Sequence, residues 1–202
     1  MTRGFPILLG LMLSIGIAAL AFETDGFRAI TSAGARQLAV ERQPLALPDV
    51  RLRDQSGRGF SLLDYRGRPL LVDFIYTRCP TLCRARGDDF RRIMELANDA
   101  GARIDLLSIS FDSENDDSAA LRLYADRYGA AAPRWRIAAP SDARGLAMLL
   151  QSFGVVVIPD GMGGFIHNSA VYVVDGRGRL VRILDPDAPA QIFAGALQAG
   201  SP

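Results

Sequence analysis

No lysine occurs anywhere in the 202 residues, so all 23 basic side chains are arginine. Reactions that need a lysine amine, such as Schiff-base formation, pyridoxal phosphate chemistry and the phosphate-loop lysine contact, are thereby excluded. Histidine is almost as scarce: His167 is the one imidazole, which rules out a multi-histidine metal centre. Cysteine is confined to Cys79 and Cys83, so three side chains hold the whole supply of imidazole and thiol donors. An excess of charge of either sign is missing too, with 23 basic against 22 acidic residues and a net charge of +1. The arginines are interspersed with acidic residues and create no extended field, so nucleic acid is not expected as a partner. What remains, 49% hydrophobic and 22% charged, fits one globular domain with a short appendage and excludes a disordered or fibrous chain.

One long uncharged run is present, FPILLGLMLSIGIAALAF from Phe5 to Phe22. As a helix it would span about 27 Å, close to the hydrocarbon thickness of a bilayer. Arg3 and the amino terminus precede it and Glu23 and Asp25 follow, so the positive-inside bias sends the rest of the chain to the far side. Residues 1–23 are expected to form an uncleaved membrane anchor, although Ala19-Leu20-Ala21 also reads as a small-residue cleavage site. A run this early leaves no room for an Arg- and Ser-rich mitochondrial presequence, which makes a bacterial inner membrane, with the body in the periplasm, the expected location.

Residues 24–48 mix small, polar and charged types without a strong period and end in Pro44 and Pro48; they read as a linker. Residues 49–202 read as the folded domain. Two polar clusters, Asp54-Gln55-Ser56-Gly57 between the short alternating runs 50–53 and 59–62, and Asp175-Gly176-Arg177-Gly178 between 170–174 and 180–184, predict β-hairpins. Leu70 to Tyr76 is nearly continuously apolar and reads as a buried central strand. Leu82 to Ala100 carries Phe90, Ile93, Met94 and Ala97 at helical spacing, with Gly101 as a stop. Strand 104–111, helix 118–128, strand 135–138 and helix 142–153 repeat the alternation, which implies parallel pairing in an α/β domain. A closing helix is expected over 188–197.

Cys79 and Cys83 lie in TRCPTLC, between that central strand and the helix after it, a junction where α/β folds place their sites. The positive end of a helix and the neighbouring Arg78, Arg84 and Arg86 would both favour thiolates. If residues 79–83 are helical, the two side chains share a face with Cβ atoms roughly 5 to 6 Å apart, so they can hold one metal ion or close a disulfide. A purely structural disulfide is the bland alternative. His167 follows Gly161, Gly163 and Gly164, whose backbone freedom would let the segment swing toward a site. A Cys₂His set is too small for a closed structural zinc site but suits copper, whose reduced form prefers sulfur and low coordination. Asp112, Glu114, Asp116 and Asp117 read first as a solvated cluster favourable to a helix N-terminus. Asp73, inside the central strand, must be paired, protonated or aimed at an opening, where it would tune the thiols. Trp135 with Pro133, and Phe90, read as packing.

Taken together, DFIYTRCPTLC at 73–83, SISFDSEND from Ser108, PDGMGGFIHNSAVYVVD from Pro159 to Asp175 and the apolar segment upstream resemble the Sco/SenC family of thioredoxin-like copper-binding proteins of cytochrome c oxidase assembly. The likeness extends from about Leu47 to Leu184. One departure is Ser113, where many members have proline. The resemblance implies a thioredoxin-like fold, a central mixed sheet flanked by helices with an extra N-terminal hairpin. It implies Cys79, Cys83 and His167 as ligands of one copper ion, Cu(I) or Cu(II). It also implies delivery to the dinuclear site of oxidase subunit II, with other periplasmic copper carriers or thiol oxidoreductases as further partners. On this reading the protein is a metallochaperone and not an enzyme. The competing expectation is a periplasmic thiol-disulfide oxidoreductase in which Cys79 attacks and Cys83 resolves. A thiol peroxidase ranks last, because no PxxxTxxC pattern surrounds Cys79.

Overall fold

The computed structural model describes residues 4–79, 82–186 and 188–199, which form two compact units, Met1–Gln43 and Pro44–Pro202. In the second unit the predicted alternation is realised as a mixed sheet. Strands β1 (Leu45–Ala46), β2 (Arg51–Asp54), β3 (Gly59–Ser61), β4 (Leu70–Ile75), β5 (Asp105–Ser110) and β6 (Trp135–Pro140) are joined by two later strands, β9 (Val171–Val174) and β10 (Arg179–Leu184). Their order is β1-β10-β9-β4-β5-β6-β2-β3. All six residues of β4 are buried, as the apolar run requires of a strand with neighbours on both edges and layers on both faces. The pairs β4–β5 and β5–β6 are parallel, while β9 runs antiparallel to β4 and β2 antiparallel to β6.

The parallel pairs are connected by helices α3 (Leu82–Asp99) and α4 (Ser118–Tyr128), and α5 (Ala143–Phe153) and α6 (Pro189–Ala199) complete the α-helices of this unit among the described residues. Helix α3 packs on both α4 and α6. Its Phe90 meets Trp135 at 5.9 Å between ring centroids, and the Trp135 indole N–H donates to Ser108 Oγ at 3.2 Å. On the opposite sheet face Phe74, Phe153 from α5 and Tyr172 stack edge to face at 5.1 to 5.8 Å. Because side chains alternate along β4, Asp73 falls on the α3 side. Gly87 lets α3 approach α4: an added Cβ would lie 2.6 Å from the Tyr128 ring.

Both predicted hairpins close with one device. Asp54 Oδ1 accepts from the N–H groups of Ser56 and Arg58, and Asp175 Oδ1 from those of Arg177 and Arg179. Each turn has a glycine at positive φ, Gly57 and Gly178, a conformation that costs glycine little. Helix α4 is capped by Asp117, whose carboxylate accepts from the N–H groups of Ala119 and Ala120, as the acidic-cluster reading anticipates for that residue.

Two segments depart from expectation. The stretch read as linker holds helix α2 (Ser32–Arg42) and strand β1. Thr31 caps α2 by accepting from the Gly34 N–H, so local propensity and capping make a helix where no apolar period announced one. The glycine-rich segment before His167 is no swinging loop but the turn of a two-stranded hairpin, β7 (Val157–Pro159) with β8 (Phe165–His167). Asp160 Oδ1 accepts from the N–H groups of Met162 and Gly164 at 2.7 and 2.9 Å, and Gly161 and Gly163 supply positive φ.

In the first unit, α1 runs Gly4–Glu23, and its large apolar side chains are exposed, from Ile7 (73%) to Phe22 (86%). Side chains are described from Ile7 onward, and among the described residues no helix is long and apolar enough to cross a membrane. The fold therefore does not show the expected membrane helix.

Candidate metal site

Strand β4 ends at Ile75, and the chain then turns, the Cys79 N–H donating to the Tyr76 carbonyl at 3.2 Å. Cys79 is buried at 7% exposure. Pro80 and Thr81 lie outside the described residues, as do the side chains of Cys83 and Arg84. Helix α3 begins at Leu82, which puts Cys83 in its first turn and Cys79 before it. The proposed i, i+4 relation on one helical face is thus not the geometry at Cys79.

His167 is the last residue of β8 and is brought over the same loop. Its ring lies 6.4 Å from that of Tyr76 and 5.0 Å from that of Phe111, while Phe165, two residues earlier on the same hairpin face, packs on both rings at 5.2 and 5.4 Å. Tyr76 therefore joins the two candidate ligands, His167 through its ring and Cys79 through its carbonyl. Gly164 lets the hairpin come this close, since a Cβ there would lie 2.6 Å from Asp160 Oδ2 and 3.3 Å from the Tyr76 hydroxyl. The imidazole Nδ1 sits 3.1 Å from the Asn168 carbonyl oxygen. That contact requires Nδ1 to carry the proton and donate, leaving the lone pair on Nε2. Nε2 is buried and has no hydrogen-bond partner among the described residues. Burial holds the His167 pKa below its ordinary value, the hydrogen bond to Asn168 opposes this, and the Arg86 charge adds to it. A neutral ring with one fixed proton and one vacant lone pair fits a metal ligand.

The arginines are less available than the sequence suggests. Arg78 pairs with Asp112 at 2.9 Å. Buried Arg86 pairs with Asp89 at 2.9 Å and donates to the Pro186 carbonyl at 2.7 Å. The acidic cluster divides: Glu114 is exposed and Asp117 is a cap, but Asp112 and Asp116 are buried at 3% and 2% exposure and bind the residues before Cys79. The solvated reading fails for those two. Their N-terminal position in the α4 approach looked the same as that of Asp117, and no local pattern separates them.

Asp73 is buried, opposite Ser108 on β5. Among the described residues no hydrogen bond of good geometry reaches either carboxylate oxygen, and burial pushes its pKa up to about 7, with Ser108 and Arg86 drawing it back. Among the described residues no group of three or more His, Cys, Asp or Glu side chains could hold a metal ion; that count leaves out the Cys83 thiol, on which a Cys₂His set depends.

A mixed sheet with helices on both faces and a central strand that leads into Cys79 define a thioredoxin-like domain. The chain belongs to the SCO1/SenC family, whose model matches residues 41–199. A SCO1 protein homolog of Bacillus subtilis is 29% identical over 135 residues, covering 64% of this chain and 68% of that protein. Bradyrhizobium japonicum ScoI with copper bound superposes with a TM-score of 0.66 at 22% identity, over 77% of this chain and 99% of that one. BsSco, a member of the Sco family of cytochrome c oxidase assembly proteins in which a disulfide switch is identified, superposes with a TM-score of 0.69 at 23% identity, over 78% and 94%.

Proposed function

We propose that this protein is a metallochaperone that binds one copper ion, as cargo, through Cys79, Cys83 and His167 and delivers it for assembly of the dinuclear copper site in subunit II of cytochrome c oxidase. The observation that carries the reading is His167, whose buried Nε2 has no hydrogen-bond partner among the described residues and which is held over Tyr76 beside the cysteine loop. The bound copper of Bradyrhizobium ScoI and the oxidase-assembly role of the family of BsSco support the cargo and its destination. Two thiolates and one imidazole hold Cu(I) in low coordination, from which competing thiolates can take it without releasing a solvated ion. Oxidation of the pair to a disulfide would abolish binding. Under reducing conditions, Cys79→Ser and Cys83→Ser should each lower stoichiometric copper binding from one ion per chain to none, as read by metal analysis after desalting. Full retention in either variant would remove that thiol from the site.

The second reading, a thiol-disulfide oxidoreductase using the same pair, draws support from Asp73, a buried carboxyl poised near neutrality on the strand that leads into Cys79. Residues 5–22 enter the inner membrane and tether the domain in the periplasm; the support is the continuous apolar surface of α1, exposed from Ile7 to Phe22. The full chain is expected in the membrane pellet after carbonate extraction, and a chain lacking residues 1–23 but exported by a foreign signal peptide in the soluble periplasmic fraction. Extraction of the full chain by carbonate would refute the tether.

A further inference from the structure

Thr77 and Arg78, the two residues between Tyr76 and Cys79, are both fastened to the loop between β5 and α4. Asp116 accepts three hydrogen bonds there: Oδ2 from the Thr77 N–H at 2.9 Å and the Ser110 hydroxyl at 2.5 Å, and Oδ1 from the Thr77 hydroxyl at 2.6 Å. Its own N–H donates to the Asp112 carbonyl at 2.9 Å. Asp112 in turn accepts from Arg78 Nη2 at 2.9 Å and Asn115 Nδ2 at 2.8 Å, and its N–H donates to Ser110 Oγ at 3.1 Å. A buried carboxylate with three donors forms strong charge-assisted bonds, and two of the three donors belong to a residue two positions from Cys79.

We propose that Asp116 is a positioning residue that presets the Cys79 loop in its ligand geometry through the backbone and hydroxyl of Thr77. The inference rests on the reading of Cys79 as a ligand. An unclamped strand-to-helix loop samples many backbone states, and each must be given up when the metal binds, which lowers affinity. Asp116 restricts those states before the metal arrives, from a loop that is itself tied to the end of β5 through the Ser110 hydroxyl, a rigid support. The sequence offers no sign of this, since Thr77 and Asp116 stand far apart in the chain and become neighbours only because β4 and β5 pair in parallel with Ile75 opposite Ser110. Asp112 with Arg78 provides a second, more exposed tie, Arg78 being 49% exposed against 3% for Asp112. The buried clamp carries the larger share, because exposed ion pairs are screened.

The test compares the full reduced protein with Asp116→Asn, Thr77→Val and Thr77→Ser. Asparagine keeps the shape but removes the charge and one acceptor. Valine keeps the volume but deletes one donor, and serine retains it. Cu(I) affinity by chelator competition is expected to fall about 10- to 100-fold in Asp116→Asn and Thr77→Val, the range seen when supporting partners of metal ligands are lost. Thr77→Ser should restore wild-type affinity, and the sulfur-to-Cu(II) charge-transfer band should shift in the first two variants alone. Near-ultraviolet circular dichroism of the copper-free proteins checks that all fold. Wild-type affinity and spectrum in folded Asp116→Asn and Thr77→Val would overturn the proposal. If instead the wild type and Cys79→Ser bind copper equally, the ligand reading fails, and the clamp is judged on the thiol. A changed Cys79–Cys83 reduction potential and a faster Cys79 alkylation rate in both variants would support it, and unchanged values would overturn it.

Discussion

His167→Ala is expected to weaken Cu(I) binding by on the order of 100-fold or more while leaving thiol-disulfide exchange with glutathione within about threefold of wild type; loss of a supporting partner of a ligand alone costs about 10- to 100-fold. The split follows from the position of the ring. Nδ1 is spent on the Asn168 carbonyl and Nε2 is buried without a partner among the described residues, so deleting the imidazole removes a lone pair that no hydrogen bond among them uses. Burial also keeps the ring neutral, which spares the metal competition with a proton near pH 7. Disulfide exchange requires only the two sulfurs, an attacking thiolate and a leaving one. Unaltered copper affinity in the variant would take histidine out of the ligand set and shift the reading toward the oxidoreductase. A matching loss of both activities would point to collapse of the hairpin on Tyr76 and Phe111, which comparison with His167→Gln, similar in reach, would expose.

Asp73→Asn is expected to change how stability depends on pH more than any other single substitution. The group titrates near 3.8 in an unfolded chain and at about 7 in the folded one, because burial disfavours its charged form. Between these values the folded protein holds a proton that the unfolded chain has released, so stability falls as pH rises from about 4 to 7 and levels off above. A displacement of this size corresponds to about 4 kcal/mol at most. Asparagine does not titrate, so the stability of the variant relative to wild type should climb through that window and reach a plateau above it. Urea unfolding of the reduced, copper-free proteins at a series of pH values measures this directly. Parallel curves from pH 4 to 8 would show that Asp73 is not held protonated. Under the oxidoreductase reading the same substitution should also slow exchange near pH 7, since the buried acid would no longer take or return a proton.

Much of the sheet could be read without coordinates. The apolar run of β4, broken only by Asp73, the helical spacing of Phe90, Ile93 and Ala97 in α3, and two Asp-led turns with glycine three residues on are local patterns, and each produced the expected element. Helix α2 escaped because its formation rests on the Thr31 cap and on propensity, with no apolar stripe to reveal the period. Hairpin β7–β8 escaped for a different reason. Phe165 and His167 face Tyr76 and Phe111, whereas Ile158 and Ile166, paired across the strands, are 54% and 65% exposed. Apolar residues on both faces erase the alternation by which a strand is recognised. The four carboxylates after β5 carried one meaning in the sequence and three in the fold: exposed, capping and clamping.

The inventory of chemistry belongs to the amino-acid sequence alone. Without lysine, the chain has no Schiff-base chemistry, and its imidazole and thiol donors are limited to His167, Cys79 and Cys83, a supply that no folding could add to. Which residues meet is another matter. That His167 stands over the turn leading to Cys79, that Asp116 grips Thr77, and that Asp73 is sealed from water all depend on pairing between segments distant in the chain. Such contacts arise from burial and strand register, which one-dimensional periodicity does not encode. Donor identity is a property of single residues, whereas ligand geometry and proton affinity are properties of the environment that the tertiary structure creates around them.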